Sequence, residues 1–146
     1  MENDLQYRTK QFSLAIVSFY STLPKGEVYY TLGKQLLRCG TSVGANTRAA
    51  YRGRSKKEFS AKLGIVIEEA DECIFWLDLL ESQENIKKEQ VIKLKQEANE
   101  LVSIFVSIVK KAPKTEWTFK KEIGLPNVPA IINNYRKHFN GYNFRQ

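Results

Sequence analysis

Apolar residues return at alternating spacings of three and four in four separate blocks of this chain, a period that only an α-helix turns into one continuous face. One run lies in residues 27–52, where Tyr29, Leu32, Leu36, Cys39, Val43, Asn46 and Ala50 step 3, 4, 3, 4, 3, 4. Phe59, Leu63, Val66, Ala70, Cys73, Leu77 and Leu80 form a second seam, and Val91, Leu94, Ala98, Leu101, Phe105 and Ile108 a third. The first block, from about Asp4 to Thr22, places Phe12, Ala15, Phe19 and Leu23 on one face. Such seams must be buried against one another. The turns between them are short, which favours antiparallel neighbours, and the expected fold is all-α: an antiparallel up-and-down four-helix bundle over residues 1–111.

The punctuation fits that reading. Pro24, Lys25 and Gly26 end the first helix. Gly53 supplies a residue tolerant of the left-handed conformation to close the second, and Ser55 to Glu58 reads as a capping box that starts the third. Asn85 is the expected cap of the fourth, which stops before Pro113. Residues 112–146 differ in kind, with six aromatics, three of the four prolines and an excess of positive charge. They form an appended basic, aromatic tail, docked or mobile, and suited to stacking on unpaired bases.

Charge is distributed unevenly. The whole chain carries +7, yet residues 34–62 alone hold eight basic residues against one acid, Glu58. Lys34, Arg38, Thr41, Ala45, Arg48 and Arg52 make a row of their own on the second helix, and Arg54, Lys56, Lys57 and Lys62 follow. Residues 68–84 reverse the sign with seven acids and no base. Two uses of this pattern compete. The basic and acidic stripes pair with each other, inside a bundle or between subunits; or the cations grip phosphates with little sequence preference. On the second reading the nucleic-acid-binding residues are Lys34, Arg38, Arg48, Arg52, Arg54, Lys56 and Lys57.

Catalytic chemistry finds little to use. One histidine (His138) and two cysteines (Cys39, Cys73) provide neither a zinc ligand set nor a nucleophile with a histidine partner. Phosphate-loop, dinucleotide, nucleophile-elbow and HExxH patterns are absent. Glu68, Glu69 and Glu72 have the spacing of bundle metal sites but lack the helical histidine those sites need. No catalytic residue, metal or cofactor is expected, and no membrane span or signal peptide is seen. Cys39 and Cys73 are expected as small buried apolar residues, and Asn46 as a register-fixing polar member of the seam.

Three runs together carry a resemblance: Arg38-Cys39-Gly40-Thr41-Ser42-Val43-Gly44-Ala45-Asn46, then Arg54 to Phe59, then Glu68 to Leu80. Over about residues 5–111 the chain resembles the four-helix bundle proteins encoded in intervening sequences of bacterial large-subunit ribosomal RNA genes. More distantly it is similar to the accessory variability protein of diversity-generating retroelements. The resemblance implies a ring-like homo-oligomer, typically a pentamer, in the bacterial cytoplasm, with no known catalytic residue. It also implies, through the retroelement branch, association with nucleic acid and a reverse transcriptase. Where many members carry Glu soon after the arginine matched by Arg48, this chain has Ala49 and Ala50. The functional expectation is a non-enzymatic homo-oligomeric scaffold that binds RNA, the alternative being a protein-binding oligomeric adaptor, for a reverse transcriptase for example.

Overall fold

A computed structural model describes residues 4–111. They form four helices, α1 (Asp4–Ser21), α2 (Glu27–Tyr51), α3 (Lys56–Glu81) and α4 (Lys88–Lys110), with no strand among the described residues. The tail expected at 112–146 lies outside them. Each helix packs mainly on its neighbours in chain order, most extensively α2 on α3, and the α1–α4 seam is the thinnest. Neighbours run antiparallel: Gly44 of α2 meets Ser13 of α1, Gly40 meets Ile16, and Gly33 meets Tyr20 and Leu23. The expected up-and-down bundle is the observed one.

The core is the set of seams. Leu36, Cys39, Val43 and Ala50 of α2 are buried with Phe59, Leu63, Val66, Ala70, Cys73, Leu77 and Leu80 of α3 and with Val91, Leu94, Ala98, Leu101 and Phe105 of α4. Two seams are displaced from expectation. On α1 the buried residues are Thr9, Phe12, Ile16 and Phe19, and Ala15 is exposed. On α2 the buried position is Thr47, whereas Asn46 is half-buried and donates its amide hydrogens to the Ser42 carbonyl oxygen (3.0 Å) and hydroxyl (2.8 Å). Asn46 therefore satisfies its polarity along its own helix and fixes no register within the core.

The shift on α2 follows from its position between two neighbours. The flank that faces α1 carries Gly33, Gly40 and Gly44, and these let the backbones approach closely. A Cβ on Gly40 would stand 2.6 Å from Ile16 Cγ2 and 2.9 Å from Ile16 Cβ. In that contact Ser13 Oγ donates to the Gly40 carbonyl (2.8 Å) and accepts from the Gly44 amide (3.2 Å). Thr9 and Thr47 tolerate complete burial because each hydroxyl donates to the carbonyl four residues earlier, Leu5 and Val43, both at 2.8 Å.

The caps are partly those expected. Ser55 Oγ accepts from the Glu58 amide (3.1 Å), and the Glu58 carboxylate returns to accept from the Arg54 amide (2.7 Å), one residue before the usual target. Gly53 does not adopt positive φ; the helix closes through Arg52 N–H to Ala49 and Gly53 N–H to Ala50. What Gly53 supplies is room, since a Cβ there would lie 2.9 Å from the Ala50 carbonyl. Asn85 is the left-handed residue of the α3–α4 turn (φ 57°), and α4 starts after Lys87 without a side-chain cap. The Tyr29 hydroxyl braces that turn by donating to the Glu84 carbonyl (2.8 Å).

Candidate nucleic-acid interface

All six members of the basic row on α2, from Lys34 to Arg52, are solvent-exposed. At about 1.5 Å per residue the row is roughly 27 Å long. Its two halves differ in how their charge is used. Lys34 Nζ donates to the Tyr30 hydroxyl (2.8 Å) and lies 4.6 Å from the centroid of that ring, which holds the ammonium above the usual lysine range. Arg38 spans to α3, with Nη2 on Glu72 Oε1 (2.5 Å) and Nη1 on Glu69 Oε2 (3.3 Å). Glu72 also accepts from the Trp76 indole N–H (2.9 Å). The Arg38 hydrogen bond, and after it the indole, hold the Glu72 carboxyl below the usual carboxylate range. Arg38 is thus an α2–α3 clamp, as the pairing reading of the two stripes requires.

Further along the row the charges are placed differently. Arg48, Lys57 and Lys62 form no ion pair with the described residues. Arg48, Arg52, Arg54 and Lys57 are exposed and Lys56 and Lys62 half-buried, all on the last turn of α2, the connection, and the first two turns of α3. Glu58 is the one acid in 48–62, and its carboxylate is committed to the Arg54 amide. Two members of the acidic run are paired from the other side of α3: Lys95 of α4 binds Asp78 (2.5 Å) and Glu81 (2.9 Å). The seven expected residues divide by position into a mid-helix pair, Lys34 and Arg38, and a turn-end cluster of Arg48, Arg52, Arg54, Lys56 and Lys57. Lys62 extends that cluster and belongs with it on position.

Among the described residues, the aromatic side chains next to the cluster in sequence are not exposed. The aromatic residues nearest in sequence, Tyr51 and Phe59, are buried and meet edge to face at 5.5 Å. Cations on a rigid frame without exposed rings bind backbone phosphate in preference to base faces. Elsewhere, a shallow depression on α4, lined by Gln96, Asn99, Glu100, Ser103 and Ile104, holds one carboxylate, and Arg8 already binds it. Arg8 also binds Glu97 through two nitrogens (2.6 and 2.8 Å), a latch between α1 and α4 that no local pattern in the sequence signals. Among the described residues no group of His, Cys, Asp and Glu could hold a metal ion, and no helix is long and apolar enough to cross a membrane.

The model of the 23S rRNA-intervening sequence protein family matches residues 1–107. The chain belongs to that family. The chain also matches a crystal structure from Bacteroides thetaiotaomicron VPI-5482, described as a protein of unknown function from the S23 ribosomal protein family. The two are 34% identical with a TM-score of 0.68, over 73% of this chain and 99% of the other. No curated protein matches. The family match lies on the bundle, which is where the turn-end cluster sits.

Proposed function

We propose that this protein is a non-enzymatic, homo-oligomeric helical scaffold that binds RNA through the cations of the α2–α3 turn, Arg48, Arg52, Arg54, Lys56 and Lys57. The observation that carries the reading is the concentration of basic side chains at one end of the bundle, around a single acid already used as a cap. A rigid helix end that gathers positive charge recruits a polyanion, with an affinity dominated by counterion release. Family membership supports a connection with ribosomal RNA genes. Self-association draws support from apolar side chains that the bundle leaves half-buried, namely Ile65, Trp76 and Leu79 of α3 and Val102, Val106 and Val109 of α4. Exposed Leu14, Val17 and Phe75 favour protein contact as well, and on them rests the second reading, an oligomeric adaptor for a protein partner.

The deciding experiment is joint charge reversal, Arg52→Glu, Arg54→Glu and Lys57→Glu, with RNA binding titrated against salt. The wild type is expected to lose affinity with a log–log slope of about −0.7 per phosphate contacted. The triple variant is expected to lose binding while keeping its helicity and oligomeric state. Unchanged binding in that variant refutes the assignment of the site, and an oligomer that binds no RNA even at low salt favours the adaptor.

A further inference from the structure

Cys39 of α2 and Cys73 of α3 are the two cysteines of the chain, and the fold sets their sulfur atoms 3.0 Å apart. Both are free thiols with no solvent exposure. They occupy facing positions of the two most extensively packed helices, and neighbouring residues Arg38 and Glu72 close the helix pair over them with the clamp described above. Cys39 also reaches the Leu36 carbonyl (3.3 Å) as a donor, which leaves its sulfur able to accept from the Cys73 thiol.

The separation selects the chemistry. Two thiolates sharing a tetrahedral ion at metal–sulfur distances near 2.3 Å stand about 3.8 Å apart, wider than this pair. No further ligand for a metal is grouped with them among the described residues. A disulfide of about 2.05 Å needs the sulfurs to close by roughly 1 Å from their present separation. We infer that Cys39 and Cys73 are a latent dithiol, which a small neutral peroxide converts into an intramolecular disulfide stapling α2 to α3 without rearrangement of the bundle.

The conversion balances. One sulfur, as its thiolate, attacks a peroxide oxygen; the O–O bond breaks, the departing hydroxide takes up the thiol proton as water, and the sulfur becomes a sulfenic acid. The second sulfur attacks the first, the S–O bond breaks as the S–S bond forms, and a second water leaves with the remaining thiol proton. The two thiols lose two electrons and two protons, and one peroxide is reduced to two waters. Burial restricts the oxidant to a small uncharged molecule and excludes a bulky disulfide donor. It also makes the reaction slow. The bond to Cys39, the buried setting and the nearby negative charge of Glu69 and Glu72 push the Cys73 thiol up, so the reactive thiolate is scarce. The pair responds to sustained oxidation and is spared by a brief pulse.

The test is hydrogen peroxide on the full-length protein under native conditions, read by intact mass, by thiol titration after denaturation, and by peptide mapping. The expected product has lost about 2 Da, the two hydrogens of the thiols, and both titratable thiols. Its Cys39 peptide is joined to its Cys73 peptide, it remains one chain on a non-reducing gel, and dithiothreitol restores it. Its circular dichroism is unchanged and its melting temperature is higher, because the staple closes a 34-residue span of the unfolded chain. Cys73→Ser is expected to abolish the mass loss. Should that variant not fold, the joined peptide in the wild type decides alone. The inference is overturned by thiols that survive oxidant in the folded protein and react only in denaturant. Stable addition of oxygen to one cysteine, cross-linking between chains, or a lowered melting temperature would each overturn it equally.

Discussion

The same replacement, glycine to alanine, should have opposite consequences at two helical positions of this bundle. At Gly64 in α3 an added Cβ meets nothing within 4 Å. Gly64→Ala therefore keeps only the gain from a residue that favours helix, about 1 kcal/mol. At Gly40 in α2 the same methyl group would stand 2.6, 2.7 and 2.9 Å from Cγ2, Cγ1 and Cβ of Ile16. Ile16 cannot swing away, because a β-branched side chain in a helix is held to one rotamer. Relief requires α1 to retreat by about 1 Å, with an overpacking cost of about 1–3 kcal/mol. Retreat also stretches the two bonds through which Ser13 Oγ joins the Gly40 carbonyl and the Gly44 amide, worth about 1 kcal/mol. After the helix-propensity gain is subtracted, Gly40→Ala should destabilise by about 2 kcal/mol. Urea denaturation followed by circular dichroism at one protein concentration measures both. The expected separation between the two midpoints corresponds to about 3 kcal/mol, with wild type between them. If both substitutions moved the midpoint the same way, the reasoning would fail: a stabilising Gly40→Ala would deny the close α1–α2 approach, and a destabilising Gly64→Ala would mean that something covers that face in solution.

Acid should loosen the α2–α3 clamp. The Glu72 carboxyl is held low by Arg38 and then by Trp76, so its contribution is complete above the ordinary carboxylate value of about 4.3 and is lost as pH falls through the lower folded value. Thermal melts from neutral pH down to about pH 3 should show a shallower acid limb for Glu72→Gln than for wild type, and parallel curves would remove Glu72 from the account. Ser55→Ala should cost about 1 kcal/mol, since the Glu58 amide loses its acceptor at the start of α3. An equal melting temperature in that variant would show that water replaces the cap without loss.

The helices were legible because their seams are long and regular: seven α3 positions read from spacing alone are the seven that the fold buries. Legibility failed where burial is achieved without apolar side chains. Gly33 and Gly40 are buried by the approach of α1, and Thr47 by a hydroxyl turned onto its own backbone, so an apolar pattern is blind to all three. It counted Asn46 instead, the polar residue that happened to keep the 3–4 step. On α1 the adjacent Ala15 and Ile16 left the phase ambiguous, and volume settled it in favour of the residue that fills the space beside Gly40. At the turns, the left-handed conformation expected of Gly53 falls to Asn85 in the next connection, and Gly53 is required for room instead. The charged row was visible as a row. Which of its members are engaged depends on the register of α3 against α2, and that register, fixed by core packing, brings Glu69 and Glu72 under Arg38 and no acid under Arg48.

Packing in chain order has a kinetic meaning. Each of the three larger helix interfaces joins elements separated by one short turn, so its formation requires little loop closure. The Arg8 latch, by contrast, joins residues 89 and 92 positions apart. Contacts of such different sequence separation form in a predictable order, local ones early and distant ones late. The α2–α3 hairpin is then the natural nucleus, and closure between the first helix and the last comes at the end, held in part by half-buried charges of Arg8 and Glu97. A nascent chain could therefore display its basic turn on an already formed hairpin while its final helix was still being made.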